Sequence, residues 1–381
     1  MTRAPAGPQT LLRSLNARAI LEALARRGPL TRAELMGETG LSRTAVTQVL
    51  RMLETGEAVA SAGVDRATNG PAATRVSLNP ALGCAAAVHI DHHSVHLAVV
   101  DPTGAVRAER QAPFDPAADL GERVGRIADL LASATASADG PLRTVVIGVP
   151  GIVTRDGGIR DDQGPDGGVF RSSLSTRLGC EVRIENDVNL AALAELSGEV
   201  AVGFDSFALL VLDDGLGAGI VIDGRLHRGA SGVAGEVQYL PQTPLPIAAP
   251  VLSDIVVADL ALAEGRDPSA PALTHLDDAA GGDAAALRVV AEMARRLVLI
   301  GGSMTLVLDP DAFLLAGLAA HPAMVKAVHE AADAHAHLLP MRFVVSSFGK
   351  EATLIGAIGE ATAILRETLF TRMLIASKRH R

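Results

Sequence analysis

The sequence has few cysteines and no long hydrophobic run, and each absence excludes a class of protein. Cys84 and Cys180 are the only cysteines among 381 residues and lie far apart, so they form neither a disulfide framework nor a cysteine-rich zinc site. No apolar run reaches the roughly 18 residues that a membrane-spanning helix needs. The best candidate, "LVLIGGSMTLVL", is interrupted by Gly301-Gly302-Ser303 and ends before Asp309-Pro310.

The amino-terminal segment lacks the apolar core of a signal peptide. It reads "MTRAPAGPQTLLRSLN", and we therefore expect a cytoplasmic protein with no membrane partner. Hydrophobic residues make up 48% of the chain and charged residues 20%, which is typical of a globular protein. The length allows about two or three domains, each with its own core.

The charge is divided unevenly between two parts of the chain. Residues 1–80 hold 10 arginines and 6 acidic residues, a net charge of +4, whereas residues 81–381 carry −13, which gives −9 for the whole chain. A basic head on an acidic body indicates a nucleic-acid-binding module attached to a domain that binds neither nucleic acid nor an anionic membrane.

The head contains three segments with helical periodicity. They are "NARAILEALARRG", "TRAELMGETG" and "RTAVTQVLRMLETG". Thr31 is predicted to cap the second helix and Gly40 to end it, and Ser42 is predicted to cap the third. Three short helices with a tight turn between the second and third predict a helix-turn-helix.

The outer face of the third helix is predicted to read DNA. Its candidate contact residues are Ser42, Arg43, Thr44, Thr47, Gln48 and Arg51. Arginine pairs with guanine, glutamine pairs with adenine, and hydroxyl groups bind bases or phosphates. The alternative is an ordinary solvated helix face, which the positive charge of the head disfavours.

A hairpin follows the third helix. The alternating runs "EAVASAGV" and "ATRVSLNP" flank the turn-prone "DRATNGP", which predicts two antiparallel strands. A hairpin at this place is a wing, and Arg66 and Arg75 are its candidate contacts to phosphate or to the minor groove. The partner would be a double-stranded DNA operator.

The body, residues 81–381, alternates predicted strands and helices in two similar blocks. "CAAAVHID" to "EVRIEND" gives the strands of a first block, and "FALLVLDD" opens a second. The pattern predicts an α/β fold of two lobes with a cleft between them. The first lobe spans about 81–195 and adds the C-terminal helix, and the second spans about 196–360.

Three motifs of the body resemble the ROK family of repressors and sugar kinases. They are "GVPGIV", "IENDVNLAALAE" and the long "GAGIVIDGRLHRGASGVAGE". The resemblance implies a two-lobed, actin-like or ribonuclease-H-like domain. A winged helix-turn-helix in front of it is arranged as in ROK transcriptional repressors, which implies a homodimer or homotetramer.

The phosphate-binding motifs of an active ROK kinase are altered. The family's Asp-x-Gly-Gly-Thr hairpin is replaced by Asp91-His92-His93-Ser94, and its Gly-Thr-Gly turn by Asp213-Asp214-Gly215. Glycines let main-chain N–H groups approach phosphate, and two carboxylates repel it. Asp187 matches the family's catalytic base, but without a phosphate site we expect no kinase activity and no nucleotide cofactor.

The sugar-binding residues of the family are kept in part. Gly151, Asn186, Asp187 and Glu236 match them, and Tyr239 stands where the family has a histidine. These five residues are the predicted ligand site. The family's zinc loop is missing after Glu236, which predicts that no metal binds there. Asp187 has a second interpretation, as the cap of the helix "VNLAALAE".

The histidines of "HIDHHSVH" invite a metal hypothesis. A tight turn after Asp91 would break the alternation that puts His89, Asp91 and His93 on one face, so the segment is interpreted as a former phosphate-binding turn filled by imidazoles.

The sequence as a whole predicts a DNA-binding transcriptional regulator, a repressor by resemblance, that responds to a sugar or a related metabolite. The alternatives are an active sugar kinase and a ligand-independent regulator whose body serves only to assemble copies.

Overall fold

The fold is given by a computed structural model that describes residues 8–65, 73–161, 164–166, 168–240 and 250–379. Within these ranges, no helix is both long enough and apolar enough to cross a membrane.

The head is a winged helix-turn-helix, as the sequence predicts. Its elements are α1 (Pro8–Arg27), α2 (Arg32–Thr39), α3 (Arg43–Thr55), β1 (Val59–Asp65) and β2 (Ala73–Leu78). Thr31 and Glu34 form a capping box at the start of α2, which satisfies N–H groups that the helix itself cannot. Gly40 ends α2 with a φ of 67°, and Ser42 caps α3. The three predicted caps are therefore confirmed.

The core of the head joins all three helices to the wing. The four predicted inward residues of α3, Val46, Val49, Leu50 and Leu53, are buried. β1 and β2 pair antiparallel, and Leu30, between α1 and α2, makes a further bridge to Val76 of β2. The hairpin is thus fixed to the helices and is part of the same packing unit.

The first lobe of the body is built on a five-stranded sheet in the order β10-β6-β3-β4-β5. Its strands and helices are β3 (Cys84–Ile90), β4 (Ser94–Val100), β5 (Val106–Pro113), α4 (Leu120–Thr135), β6 (Leu142–Val149), β7 (Ile152–Val153), β8 (Ile159–Asp161), β9 (Gly164–Pro165), α5 (Val169–Leu178), β10 (Glu181–Asn186) and α6 (Asp187–Glu195). β3 is parallel to β6 and antiparallel to β4. Alternate residues of β3 pack on α4 and α5, on one face, and on α6 and the last helix, on the other.

The second lobe has a sheet in the order β13-β12-β11-β14-β15. Its elements are β11 (Phe207–Leu212), β12 (Leu216–Ile222), β13 (Arg225–Leu226), α7 (Asp254–Ala263), α8 (Ala272–Ala280), α9 (Ala284–Leu308), β14 (Ala312–Gly317), α10 (Pro322–Asp333) and β15 (Phe343–Val345). Helices α7 to α10 cover one face of this sheet, and α6 of the first lobe lies against the other. The predicted two-lobed α/β fold is confirmed.

The last helix, α11 (Ala352–Arg379), is much longer than the predicted segment "EATLIGAIGEATAIL". Its first half packs on the sheet of the first lobe. Further along, Phe370 is 5% exposed and belongs to the core of the head. One continuous helix therefore connects the body to the head.

Candidate functional site

The outer face of α3 carries the predicted DNA-reading side chains. Arg43, Thr44, Gln48 and Arg51 are exposed. Ser42 and Thr47 are engaged within the helix. The Ser42 hydroxyl oxygen accepts from the N–H of Ala45 at 3.2 Å, and the Thr47 hydroxyl donates to the carbonyl of Arg43 at 2.8 Å. Five of the six predicted side chains are thus exposed, Thr47 is half-buried, and Ser42 and Thr47 form hydrogen bonds within the helix.

Of the two arginines predicted on the wing, Arg66 and Arg75, the structure describes only Arg75. Arg66 lies outside the described residues. Arg75 donates to the carbonyl of Pro29 at 2.8 Å and to the Glu34 carboxylate at 3.3 Å. These bonds hold β2 against the start of α2, so the guanidinium fixes the wing, and a phosphate contact by Arg75 stays a prediction.

The segment 91–94 is a tight turn between β3 and β4, closed by its own aspartate. Asp91 Oδ1 accepts the backbone N–H groups of His93, at 2.7 Å, and Ser94, at 2.5 Å, and its Oδ2 accepts the Ser94 hydroxyl at 2.8 Å. Burial raises the pKa of Asp91, but these hydrogen bonds outweigh that effect and bring the pKa below its ordinary value. N–H groups that would cradle a phosphate in a glycine turn here point at a carboxylate.

The corresponding turn of the second lobe is acidic. Asp213 and Asp214 lie between β11 and β12, and the Asp213 N–H donates to the carbonyl of Gly215 at 3.0 Å. Burial raises the pKa of Asp213, and the charge of Asp214 raises it further. Asp254, at the start of α7, has its pKa raised by the same two causes. A polyanion at this turn would meet several negative charges.

The two turns face each other across the cleft between the lobes. His92 Nε2 lies 3.9 Å from Asp214 Oδ2. A cavity of about 600 Å³ opens here, and it is lined by His92, His93, Phe114, Asp115, Pro116, Asp214 and Asp254. The open cavity between the two turns is therefore bordered by imidazoles and carboxylates.

The predicted ligand residues cluster where β10 meets α6. Asn186 is the N-cap of α6. Its side-chain oxygen accepts the N–H of Asn189 at 2.9 Å, and its Nδ2 donates to the carbonyl of Gly151 at 3.0 Å. This corrects the capping interpretation of Asp187, because Asp187 is the first residue inside the helix. Asn186 and Asp187 are both residues that favour caps, and Asn186 takes the position because its backbone is still extended, as the last residue of β10.

Asp187 is held in an environment that disfavours its charge. Loss of water around the carboxyl group raises its pKa to about 7; the backbone N–H of Val188 opposes this shift, and the charges of Asp213 and Glu236 add to it. Glu236 likewise has its pKa raised by burial, against a hydrogen bond from Gln238. With a pKa of about 7, the Asp187 carboxyl group can accept a hydrogen bond or take up a proton near neutral pH.

Tyr239 ends a 3-10 turn, Val237–Tyr239, directly after Glu236, and is 41% exposed. Tyr239 is thus three residues after Glu236 in the chain. Its contact with a ligand stays a prediction.

Sequence reasoning missed Glu185, Asn189 and Arg228. Arg228 Nε lies 2.5 Å from Glu185 Oε2, and Glu185 Oε1 accepts from Asn189 Nδ2 at 2.9 Å. Asn189 is 4% exposed, and its side-chain oxygen has no hydrogen-bond partner among the residues that the structure describes. Glu185 stands beside the motif "END" and Arg228 lies inside "GRLHRG", but 43 residues separate them, so no local pattern joins them.

The loop 227–236 of the second lobe reaches across to the first. Besides the Arg228 ion pair, Arg155 donates to the carbonyl of Gly229 at 3.2 Å. Gly232 has a φ of 84°, and a Cβ there would lie 2.0 Å from the carbonyl oxygen of Val153. Only glycine permits this approach. The glycine-rich motif therefore brings Glu236 to the strand end that carries Asn186 and Asp187.

Helix α11 connects this cluster with the head. Near its start, the Thr353 hydroxyl donates to the carbonyl of Asp187 at 3.2 Å. Further along, Arg366 donates to the carbonyls of Pro102, at 2.8 Å, and Ala25, near the end of α1, at 3.1 Å. Glu367 forms an ion pair with Arg18 of α1 at 3.0 Å. One continuous helix thus contacts both the candidate ligand site and the winged head.

Comparison with known families agrees with this architecture. Residues 85–246 match the model of the ROK family, and residues 13–56 match the model described as winged helix-turn-helix DNA-binding. The chain carries a ROK domain behind a winged helix-turn-helix. The ROK match includes both altered turns, the Asn186-Asp187 pair and Glu236.

Curated relatives of the ROK domain include kinases and a repressor. The chain is 41% identical over 100 residues to N-acetyl-D-glucosamine kinase of Histophilus somni, which covers 26% of the chain and 33% of the kinase. It is 22% identical over 242 residues to the xylose repressor of Bacillus subtilis, 61% of the chain and 62% of the repressor. The chain thus spans about a third of the length of that kinase.

Solved ROK structures share the fold. A ROK family transcriptional regulator, a homologue of the E. coli Mlc protein, matches with a TM-score of 0.74 and 20% identity over 96% of this chain and 99% of its own. A ROK hexokinase from Thermus thermophilus matches with a TM-score of 0.63 and 24% identity over 74% of this chain and 99% of its own. The regulator alone of these two extends over the head as well as the body.

Proposed function

We propose that this ROK protein is a DNA-binding transcriptional regulator and acts as a repressor. Its body senses a small molecule and does not phosphorylate it. The observation that carries the proposal is the continuous α11, which contacts the backbone of Asp187 at one end and contributes Phe370 to the core of the reading head. An enzyme that only phosphorylated sugars would need no such link. A regulator of this kind works in the cytoplasm, where the operator DNA is.

The DNA-reading part of the proposal rests on α3. Arg43 and Gln48 are exposed on a helix whose opposite face is buried, which is how a recognition helix presents side chains to the major groove. Arg43→Ala and Gln48→Ala should each weaken binding to the operator by about 5- to 150-fold, since one good base contact contributes about 1 to 3 kcal/mol. The measurement is a gel shift with genomic fragments selected by the full-length wild-type protein.

Arg126→Ala is the matched control, because Arg126 is an exposed arginine on α4 of the body. It should bind the same fragments as tightly as the wild type. Wild-type affinity in both α3 variants would remove α3 as the reading helix.

The sensing part of the proposal rests on the cluster at the end of β10. Carboxyl oxygens of Asp187 and Glu236 and the second amide hydrogen of Asn186 suit a polyhydroxylated ligand, since each hydroxyl both donates and accepts. We therefore assign a sugar or a related metabolite as effector. A thermal-shift screen of sugars and sugar phosphates should find a compound that raises the melting temperature of the wild type, because ligand binding stabilises the folded state.

Asp187→Asn should abolish that shift, whereas Asp129→Asn, at an exposed position of α4, should retain it. If no compound shifts the wild type, the body acts without a ligand and serves only to assemble copies.

A sugar kinase is the second candidate, and the pKa of Asp187 near 7 favours it, because a base near the working pH is effective in proton transfer. Phosphoryl transfer also requires that the phosphates be held in place. We expect neither the Asp91 turn nor the Asp213-Asp214 pair to bind them. Sugar-dependent ATP consumption that Asp187→Asn abolishes would establish the kinase. Absence of turnover across the same panel is the expected result.

A further inference from the structure

The chain passes between the two lobes of the body twice, and the two passages are in contact. The first crossing, residues 196–206, leads from α6 to β11, and the second crossing, residues 346–351, leads from β15 to α11. Ser347 Oγ accepts the N–H of Val200 at 3.3 Å. A Cβ on Gly198 would lie only 2.9 Å from Ser347 Oγ, so a glycine allows this approach. A rotation of one lobe against the other must therefore bend these two segments.

One buried carboxylate joins the two crossings. Glu195, the last residue of α6, lies directly before the first crossing and is 0% exposed. Its Oε1 accepts the hydroxyl of Ser346 at 2.6 Å and the N–H groups of Ser347, at 3.1 Å, and Phe348, at 3.4 Å. Its Oε2 also lies 3.1 Å from the N–H of Ser347. These donors all belong to the second crossing.

The hydrogen bonds of Glu195 are of the strong kind. A buried carboxylate is costly unless its oxygens are hydrogen-bonded, and bonds to a charged acceptor are about twice as strong as neutral ones. Two of the three donors are main-chain groups, whose directions are set by the path of the chain. Glu195 therefore holds the second crossing at one place against the end of α6. It lies at the opposite end of α6 from Asp187, outside the predicted ligand site.

We propose that Glu195 is the positioning residue of a hinge between the lobes: its carboxylate clamps the two crossings together and so sets the angle between the lobes. The candidate ligand site draws on both lobes, with Asp187 from the first and Glu236 from the second. Helix α11, which reaches the head, begins directly after the second crossing. The angle set at Glu195 thus decides how closely the ligand residues converge and where α11 starts.

The consequence for sensing deepens the proposed function and rests on it, whereas the clamp itself does not. Hinges are a few residues at the ends of elements that absorb the change in backbone angles when two lobes move. The movement of the lobes can therefore be measured without ligand and without DNA.

The test is the distance between two spin labels, one on each lobe of the full-length protein, by double electron–electron resonance. The labels are attached at Arg126→Cys on α4 and Asp259→Cys on α7, both at exposed positions. Burial raises the pKa of the native thiols, Cys84 and Cys180, to about 11. The label therefore reacts with the introduced cysteines at neutral pH, because the thiolate is the reactive form.

The wild type should give one narrow distribution of distances. Glu195→Gln keeps the shape but removes the charge and turns an amide N–H toward the N–H of Ser347, so the distribution should widen by about two-fold or more. Ser346→Ala keeps the charge and removes the shortest bond, and it should give an intermediate width. Glu199→Gln is the matched control, because Glu199 is an exposed glutamate of the first crossing. It should give the distribution of the wild type.

A second pair of labels separates a hinge from a general loss of structure. Arg126→Cys with Val106→Cys, an exposed position on β5, measures a distance within the first lobe. It should stay narrow in Glu195→Gln. Equal widening of both pairs would assign Glu195 to the fold of the lobe and remove the hinge. If Glu195→Gln does not fold, the same two distances in Ser346→Ala decide.

Two further results would overturn the clamp: an interlobe distribution in Glu195→Gln as narrow as that of the wild type, or a wild type as wide as the variant. In a second arm, the compound found in the thermal-shift screen should bind Glu195→Gln about ten-fold more weakly than the wild type, since fewer molecules then have the lobes at the binding angle. A widened distribution in Glu195→Gln, with no compound found for the wild type, would keep the clamp and remove the sensor.

Discussion

Asp91 and Asp187 each follow a strand of the same sheet, and the structure uses them in opposite ways. Asp91, after β3, accepts hydrogen bonds from His93 and Ser94, and its pKa lies below the ordinary value. Asp187, after β10, is held near two other carboxyl groups, and its pKa is raised to about 7. The first carboxylate stabilises its own turn, whereas the second remains disposed to bind a proton or a hydrogen-bond donor.

The comparison separates a carboxylate with a structural role from one that is available to a ligand. The Asp91 turn is closed by its own carboxylate, whereas the strand end at Asn186 and Asp187, predicted to bind a sugar, presents carboxyl and amide groups that can form hydrogen bonds. This supports a sensor in preference to a kinase. The predictions that follow test the contrast, from the largest expected effect to the smallest.

The largest effect is expected from removal of the Asp91 side chain. Asp91→Ala leaves the N–H groups of His93 and Ser94 without the charged acceptor that orders the turn, and it should lower the free energy of unfolding by about 2 to 3 kcal/mol. At pH 4.5 Asp187 is protonated in the folded protein, so Asp187→Asn replaces one neutral group by another of the same shape and should change stability by less than about 1 kcal/mol in either direction. Urea unfolding of both variants is the measurement. A cost at Asp91 no greater than that at Asp187 would contradict the contrast.

The pH dependence of Asp187 is the next effect. The pKa of Asp187 is about 7 in the folded protein and about 3.9 in an unfolded chain. Between these values the folded state binds more protons, so the contribution of Asp187 to stability falls as pH rises. The Asp187→Asn variant has no titrating group at this position, so its stability does not fall in this way as pH rises. Its stability relative to the wild type should therefore increase between pH 4.5 and 7.5, by on the order of 2 kcal/mol, and stay constant above pH 8.

Asp91 should show the opposite sign. Its pKa is lowered by folding, so its contribution is present above the unfolded pKa and is lost as pH falls through the folded value. The cost of Asp91→Ala should be constant from pH 5 to pH 8 and decrease below about pH 4. Urea unfolding of wild type and variant at pH 3.5 and pH 6 measures it, and an equal cost at both pH values would count against the assigned hydrogen bonds.

The smallest effect concerns the link from Asp187 to the head. Arg366 donates to carbonyls of the β4–β5 turn and of α1, so Arg366→Gln should cost about 1 kcal/mol of stability. It should leave the ligand-induced rise in melting temperature intact and reduce the effect of the ligand on DNA affinity by a few-fold, since the positioning of α1 on α11 is loosened. Gel shifts with and without the ligand measure it.

Arg177→Gln is the control for the link, because Arg177 lies on α5 and pairs with Asp129 of α4 at the surface. An unchanged ligand effect in Arg366→Gln would exclude Arg366 as part of the link.

Much of the local structure could be predicted from the sequence. Thr31, Gly40 and Ser42 mark helix ends because capping depends on neighbours within about four residues. The inward residues of α3 follow from helical spacing. The assignment of the cap to Asp187 was wrong, because Asn186 and Asp187 both favour caps and the sequence does not show that β10 ends at Asn186.

Other features depend on residues that are remote in the chain. Arg75 is engaged by Pro29 and Glu34, 46 and 41 residues away, and Arg228 by Glu185, 43 residues away. The length of α11 and its place in the core of the head also lay beyond the predicted segment, because the apolar pattern of a helix does not reveal which surface it will cover.

The sequence by itself determined the basic winged head and the α/β body, and its resemblance to the ROK family implied altered glycine turns and a ligand site at Asn186, Asp187 and Glu236. These follow from residue type, periodicity and motif, all of which are local. Only the tertiary structure decided that the Asp91 carboxylate accepts the hydrogen bonds of its own turn, that Asp187 has a pKa near 7 and that α11 joins Asp187 to the head. Burial, the distances between charges and the packing of helices depend on segments that are far apart in the chain. They cannot be derived from local sequence patterns.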